Sequence, residues 1–343
     1  MIIALAAAGV LLWFSPQVLR AASDAAAVFA SGVLPALFPL MVLNNVSAAL
    51  TEKRPSSMGK ATVSAALFAF VSGSPASAQR LAHLRRGFPL NPASLYGMAG
   101  LTGVMSPLFI VGSLARGMGS PHAAWLTLAG HWGGALLTGA AVGLLMKTSR
   151  AAKHTGSAAA SAATSLPHRP PALAAVLPGA IAAAAQALLA VCGTMMLFSV
   201  VAAVIKAALG LLFPRWTADS APTLAVLWAL LEIGGGAFAV LDAFPAYPVP
   251  LLAALCSFGG LSLWLQNLLF LDKDIRPGVL LLIRGLHGAL AYAVCTVLLR
   301  LFPLTAAAAS AGSLAVIPSV RPSLPALLVL CSLALPRLVR SRP

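Results

Sequence analysis

Carboxylates are the scarcest feature of this chain. Seven Asp and Glu stand against 22 Lys and Arg in 343 residues, and only 8% of positions carry a charge. Soluble globular proteins carry about 25% charged residues. That shortage, with 60% hydrophobic residues in long runs from end to end, excludes an ordinary soluble domain and points to a polytopic membrane protein. The motifs of several enzyme classes are missing as well. No G-x-x-x-x-G-K-[ST] loop occurs, so no ATP-driven engine sits in this chain, and no H-E-x-x-H metal motif occurs. The serines of the GSP and GLS stretches have no His and Asp in neighbouring segments to make a triad. The four cysteines, Cys192, Cys256, Cys295 and Cys331, are far apart, form no C-x-x-C, and lie in apolar segments. There a thiol behaves as a small hydrophobe, so neither a disulfide framework nor a zinc site is supported. No enzymatic activity, cofactor or metal is expected.

The net charge of +15 comes from basic residues in short loops beside apolar segments. In that setting positive charge sets membrane orientation, and no nucleic-acid partner is expected. The opening MIIALAAAGVLLWFSPQVLR lacks the basic n-region of a signal peptide and reads as a retained first helix over residues 2–19.

Residues 25–50 read as a second helix, which Pro35 and Pro39, four apart on one face, should kink. Further crossings are expected over 92–114, 123–146, 177–205, 250–271, 279–299 and 324–335. Two shorter interrupted segments, 61–79 and 223–240, read as re-entrant hairpins. The first is flanked by Lys53, Arg54 and Lys60 before it and Arg80, Arg85 and Arg86 after it, and a hairpin keeps both flanks cytoplasmic. The second enters from outside. Lys206, Arg215, Arg300 and Arg321 depart from the charge rule. Residues 148–174, basic, rich in Ser and Ala and without periodicity, read as a cytoplasmic linker. The fold class is therefore an all-α polytopic membrane protein, with about eight transmembrane helices plus two re-entrant hairpins. It is expected as a multi-pass protein of the cell membrane with both termini cytoplasmic.

The order of kinked helix, interrupted hairpin, Gly-broken helix and plain helix runs over 25–147 and again over 175–301. The first copy starts from outside and the second from inside, an inverted-topology repeat of the kind many secondary transporters use. Residues 1–24 add an N-terminal helix, and 302–343 add a C-terminal loop and helix.

Two stretches, FVSGSPASAQ over 70–79 and SFGGLSLWLQ over 257–266, gather Gly, Ser and Gln inside membrane-grade apolar sequence. Irregular backbone at membrane depth is tolerated only where protein or a water-filled cavity covers it. These stretches are therefore expected to wall a solute site near the bilayer midplane. Gly73, Ser74, Pro75, Ser77 and Gln79 come from the first stretch, and Ser257, Gly259, Gly260 and Gln266 from the second. Ser106, Pro107, Glu232 and Gly235 join them from MSPLFIVG and LEIGGG. Glu232 is the only acid deep in an apolar run, which marks it for function by default. It can take a proton and couple transport, bind a cation, or pair with an Arg such as Arg284. His131 in LAGHWGG can relay protons with Glu232 or make a helix-packing bond to a neighbouring Ser or Thr. Gln79 and Gln266 can contact a ligand or cap broken backbone. The serines can offer hydroxyls to a solute or bond their own backbone. The glycines can line a site or let helices pack closely.

At these residues the sequence resembles the YlbJ-type sporulation integral membrane proteins, within the wider nucleoside-transporter and FeoB Gate domain group. GSPASAQ, 73–79, is similar to a G-x-P-x-G-A hairpin motif. MSPLFIVGSLARGMG, 105–119, is similar to S-G-P-L-F-I-x-G, with His131 following at a similar distance. LEIGGG, 231–236, is similar to E-I-T-x-G, and FGGLSLWLQ, 258–266, to F-G-G-x-x-x-x-x-Q. Ser77, Met105 and Gly234 depart from the pattern, which usually has Gly, a small polar residue and Thr there. The resemblance covers nearly the whole chain in order. It implies transport, and some relatives are linked to moving dipicolinic acid during spore formation. The expected function is a secondary permease for a small anionic or heterocyclic solute; the alternative is a non-transporting membrane scaffold of an envelope or sporulation complex. The expected partners are that solute and the lipid bilayer, with homo-oligomerisation left open.

Overall fold

The structure, a computed structural model, describes residues 1–51, 58–88, 90–151, 172–215, 220–244, 248–271 and 275–304. Among these, all regular structure is helical. Helix α1 spans Ile2–Trp13 and α2 Ser15–Val28; a π-helical turn, Phe29–Val33, leads into α3, Leu34–Thr51. The expected first helix over 2–19 is thus divided at Phe14. Pro16 stands in the first turn of α2, where its missing N–H and fixed φ suit a helix start. The wider turn at Phe29–Val33 directly precedes Pro35 and loosens the backbone where a proline ring would clash with the carbonyl four residues back.

Helices α4, Met58–Ser72, and α5, Ala76–Gly87, pack against each other around the break at Gly73–Pro75, where the Ser74–Pro75 peptide is cis. Arg80, Arg85 and Arg86, expected just beyond the hairpin, belong to its second arm. Arg80 is buried and stacks over the Phe68 ring, 5.0 Å from its centroid. Helix α6, Pro92–Thr102, starts at Asn91, whose side chain accepts from the Ser94 N–H. After a gap at Gly103–Ser106 the chain resumes as a π-helical stretch, Leu108–Leu114, and α7, Ala115–Met118. Helix α8, Pro121–Ala151, continues five residues past the expected helix end at Met146, into the segment read as linker. The rest of that linker, from 152 to 171, and the expected C-terminal helix over 324–335 lie outside the described residues.

The later part comprises α9, Leu173–Leu212; α10, Ala221–Leu231; α11, Ile233–Ala243; α12, Val249–Phe258; α13, Gly260–Phe270; and α14, Pro277–Leu301. Helices α10 and α11 fold back on each other about Glu232. Gly236 permits this, since a Cβ there would fall 2.3 Å from the Ala229 Cα.

Among the described residues, five helical stretches are long and apolar enough to cross a membrane: 15–50, 121–146, 173–212, 249–270 and 277–301. At 1.5 Å per residue the 40 residues of α9 extend about 60 Å, against a hydrocarbon core of about 30 Å. Side-chain polarity runs inside-out. On α14, Leu282 is 74% exposed whereas Arg284 is 1% exposed. Asn44, His131, Glu232 and His287 are likewise buried, while Leu136, Leu145 and Leu197 face outward. Apolar side chains so exposed are at home in lipid and not in water. The chain is an all-α protein built for a membrane.

At the centre α8 crosses α14 at close range through a G-x-x-x-G pair. A Cβ on Gly130 would lie 2.5 Å from the Cys295 Cβ, and one on Gly134 2.7 Å from the Ala291 nitrogen. Small residues at this spacing let two backbones approach where lipid gives no hydrophobic drive to association. Helix α6 packs on α8, and α12 packs on α14.

Candidate functional site

Each hairpin tip meets a helix break. The Ser74 N–H donates to the Val104 carbonyl at 2.6 Å. Gly73 sits at φ +70°, and a Cβ there would lie 2.2 Å from the Ser106 nitrogen. Only glycine fits both the left-handed backbone and that approach. In the second pair, a Cβ on Gly260 would lie 3.1 Å from the carbonyl oxygens of Ala229 and Leu231, beside the Glu232 tip.

Between the tips lies a cavity with about 490 Å³ of empty volume, its open mouth included. It is lined by Ser74, Ser106, Glu232, Gly234, Ser262 and Gln266 among polar or small residues, and by Val33, Leu37, Met105, Phe109, Val191, Met195, Ile233 and Leu263 among apolar ones. Of the residues expected there, Ser74, Ser106, Glu232 and Gln266 are brought together. Gly73, Pro75, Pro107, Gly235, Gly259 and Gly260 shape the breaks and do not line the cavity themselves. Ser77 lines a second pocket instead. Gln79 lies within α5, lines neither pocket, and leaves its buried Oε1 without a partner.

The Glu232 side chain caps its own hairpin arm. Oε1 accepts from the Gly234 N–H and Oε2 from the Gly235 N–H, both at 2.6 Å. These amides open α11, and a carboxylate is favoured at a helix N-terminus by both the free donors and the dipole. Both glycines lie close over the carboxylate; a Cβ on Gly234 would fall 2.8 Å from Oε1. Arg284 takes no part in this arrangement. Its Nε donates to the Phe258 carbonyl at 2.9 Å and its Nη1 to the Gly103 carbonyl, tying the C-terminal end of α12 to that of α6.

His131 is fixed by its neighbours. A backbone N–H can only donate, so the Met105 N–H at 2.8 Å makes His131 Nε2 the acceptor and places the ring hydrogen on Nδ1. Nδ1–H then donates to Ser257 Oγ at 2.7 Å. His287 stacks on His131 with ring centroids 5.0 Å apart, and its Nε2–H donates to the His131 carbonyl at 3.0 Å. Ser257 and His131 therefore support the break at Gly103–Ser106 from behind, outside the cavity lining.

Gln266 donates from Nε2 to Thr194 Oγ1 at 2.8 Å, and this hydroxyl donates back to the Ala190 and Val191 carbonyls of α9. That contact with α9, and the Val191 and Met195 side chains in the wall, were not anticipated. A lone Thr in a long apolar helix gives little signal in sequence, because such a Thr ordinarily bonds its own helix. Ser106 Oγ is buried without a hydrogen-bond partner and lines the cavity. Among the described residues no cluster of His, Cys, Asp or Glu could hold a metal ion. Cys192, Cys256 and Cys295 are buried.

Comparison with known protein families, with curated proteins and with solved structures finds no match.

Proposed function

We propose that this chain is a secondary transporter for a small heterocyclic solute bound between the two hairpin tips. The observation that carries this is the cavity itself: an apolar chamber with Ser106 unpartnered and with Glu232 and Gln266 on its wall. Ligand pockets of this kind bind a ring on their apolar surface and orient it with a few polar groups. Glu232 is the sole ionisable group among the lining residues. The Glu232 oxygens on the wall are hydrogen-bond acceptors, and they favour a solute that presents N–H or O–H groups over a fully ionised anion. Of the two classes in the expected function, the heterocyclic one is therefore preferred.

Support for an inverted repeat comes from order and packing. A long helix, a packed helical hairpin, a broken helix and a straight helix occur twice, as α3 to α8 and as α9 to α14. The straight helices α8 and α14 pack on each other, and each broken helix packs on the straight helix that follows it. Alternating access then follows from rocking one set against the other about the shared cavity. In this frame α4–α5 and α10–α11 are re-entrant. A cytoplasmic N-terminus rested on a first crossing over 2–19, which is divided at Phe14, and a cytoplasmic C-terminus on residues outside those described. The resemblance to sporulation membrane proteins and to dipicolinate movement stays part of this proposal as a choice of substrates to test.

The test is flux into proteoliposomes with labelled pyridine dicarboxylate and labelled neutral purines and pyrimidines. Saturable uptake of a heterocycle that falls about tenfold in Ser106→Ala or Gln266→Ala, as loss of one or two hydrogen bonds predicts, supports the reading. Absence of flux for all of them, from protein that melts cooperatively, overturns it and favours a scaffold.

A further inference from the structure

A second pocket lies behind the first hairpin tip, with about 260 Å³ of empty volume including its mouth. Ser74, Ser77, Thr102, Asn267 and Arg284 supply its polar lining, and Ser74 also lines the main cavity. Its enclosed part admits about one water-sized sphere.

The charge in this pocket is unbalanced. Arg284 is 1% exposed, and no carboxylate pairs with it among the described residues. Two of its nitrogens are held by the carbonyls of Phe258 and Gly103, while Nη2 is buried with no hydrogen-bond partner. Carbonyl dipoles offset a buried cation only in part, and an unpaired buried charge is among the most destabilising features a fold can hold. The tight fit around the guanidinium is built in. A Cβ on Gly103 would lie 2.6 Å from Nη1, and one on Gly259 2.5 Å from Nη2. A second donor is also available. Ser74 Oγ and Ser77 Oγ are 3.1 Å apart, so one hydroxyl hydrogen lies between them and the other remains to be donated elsewhere. Thr102 offers only lone pairs, since its hydroxyl donates to the Met98 carbonyl. Asn267 Oδ1 is buried without a partner and, with Thr102 Oγ1, is an acceptor that opposes an anion here.

We infer that this pocket binds a small inorganic monovalent anion, of halide size, between Arg284 Nη2 and the Ser74–Ser77 hydroxyl pair. The competing occupant is a single water bridging Arg284 Nη2 to Asn267 Oδ1. The anion neutralises the guanidinium that ties the two broken helices together, so the role is to stabilise the breaks. It does not depend on which solute, if any, enters the main cavity.

The experiment is thermal melting of the full chain in detergent, with chloride or bromide replacing gluconate at constant ionic strength. A saturable rise in melting temperature with halide is expected, with half-saturation about tenfold weaker in Ser77→Ala. Arg284→Met should abolish the dependence; should that variant not fold, the Ser77→Ala shift decides. Anomalous scattering from bromide within hydrogen-bond distance of Arg284 Nη2 would place the ion. Superimposable melting curves in chloride and gluconate, or a bromide-free peak refining as water, would overturn the inference.

Discussion

The two broken helices interrupt themselves by different means. After Thr102 four residues, Gly103 to Ser106, run without helical structure before Pro107 restarts the helix. After Phe258, Gly259 alone, at φ +80°, turns the chain into α13. The longer gap is held from outside at its first three residues and by its own helix at the fourth. Arg284 donates to the Gly103 carbonyl, Ser74 to that of Val104, His131 accepts the Met105 N–H, and the Ser106 carbonyl accepts from Phe109 and Ile110. The shorter break asks for much less: Gly259 N–H returns to the Leu255 carbonyl at 2.7 Å, and the Phe258 carbonyl takes Arg284 Nε. An unpaired backbone group at membrane depth costs several kcal/mol. A four-residue gap therefore recruits His131, the Ser74 amide and Arg284, whereas a one-residue gap is served by Arg284 and its own helix. That explains why His131 sits at 0% exposure in a helix otherwise made for lipid.

This contrast is sharpest at the glycines. At Gly73 an added Cβ meets backbone, the nitrogen and Cα of Ser106 at 2.2 and 2.6 Å. At Gly259 it meets side chains, Arg284 Nη2 and Leu263 Cδ2 at 2.5 and 2.7 Å. Both positions carry positive φ, which costs a non-glycine residue about 1–2 kcal/mol. Backbone yields less than side chain, so Gly73→Ala should lose about 3 kcal/mol or more and Gly259→Ala about half that. Melting of both variants in detergent checks the order, and equal losses would remove the distinction between the two breaks.

A smaller effect is expected behind the first break. His131→Ala leaves the Met105 N–H and Ser257 Oγ without their partner, a loss of about 2 kcal/mol. The same change should release the gap locally. Hydrogen exchange at residues 103–106 should quicken at least tenfold, while the α13 start at Gly260 stays protected. Uniform exchange changes in both breaks would mean that His131 acts on the whole bundle and not on the gap.

Much of this was legible in the residues. Gly73–Ser74–Pro75 and Gly259–Gly260 announce broken backbone because lipid-embedded helices have no other use for such clusters, and both breaks stand where those letters fall. Glu232 announces itself as the lone deep carboxylate, and it reaches the cavity. What sequence spacing does not carry is which group satisfies which. Arg284 was an obvious candidate to pair with Glu232, yet the carbonyl ends of two helices hold it and α11 holds the acid. His131 in LAGHWGG reads as a proton relay or a packing bond, and its ring is occupied by a backbone amide and a serine. Gln79 shares its motif with Ser74 and Ser77, yet two residues beyond Ser77 on α5 it lines neither pocket. Thr194 carried no signal because its partner Gln266 lies 72 residues on. The helix starts were less legible than the breaks, since Pro16 reads equally as the end of one helix or the beginning of the next.

The smallest effect separates the two roles open to Glu232. In Glu232→Gln the side chain keeps its size, one oxygen still accepts from Gly234 or Gly235, and the other position becomes an amide that cannot accept. Loss of one charge-assisted cap bond, and of the negative charge at the N-terminus of α11, should lower stability by about 1–2 kcal/mol. If capping is the whole of its function, heterocycle flux in proteoliposomes should survive, reduced no more than a few-fold, and show the same response to an imposed pH gradient as wild type. If the carboxylate also carries a proton with the solute, gradient-driven uptake should vanish while solute exchange across the membrane persists. Measuring exchange and gradient-driven uptake on one preparation distinguishes these outcomes, because a helix cap acts on both alike and a coupling acid acts on only one.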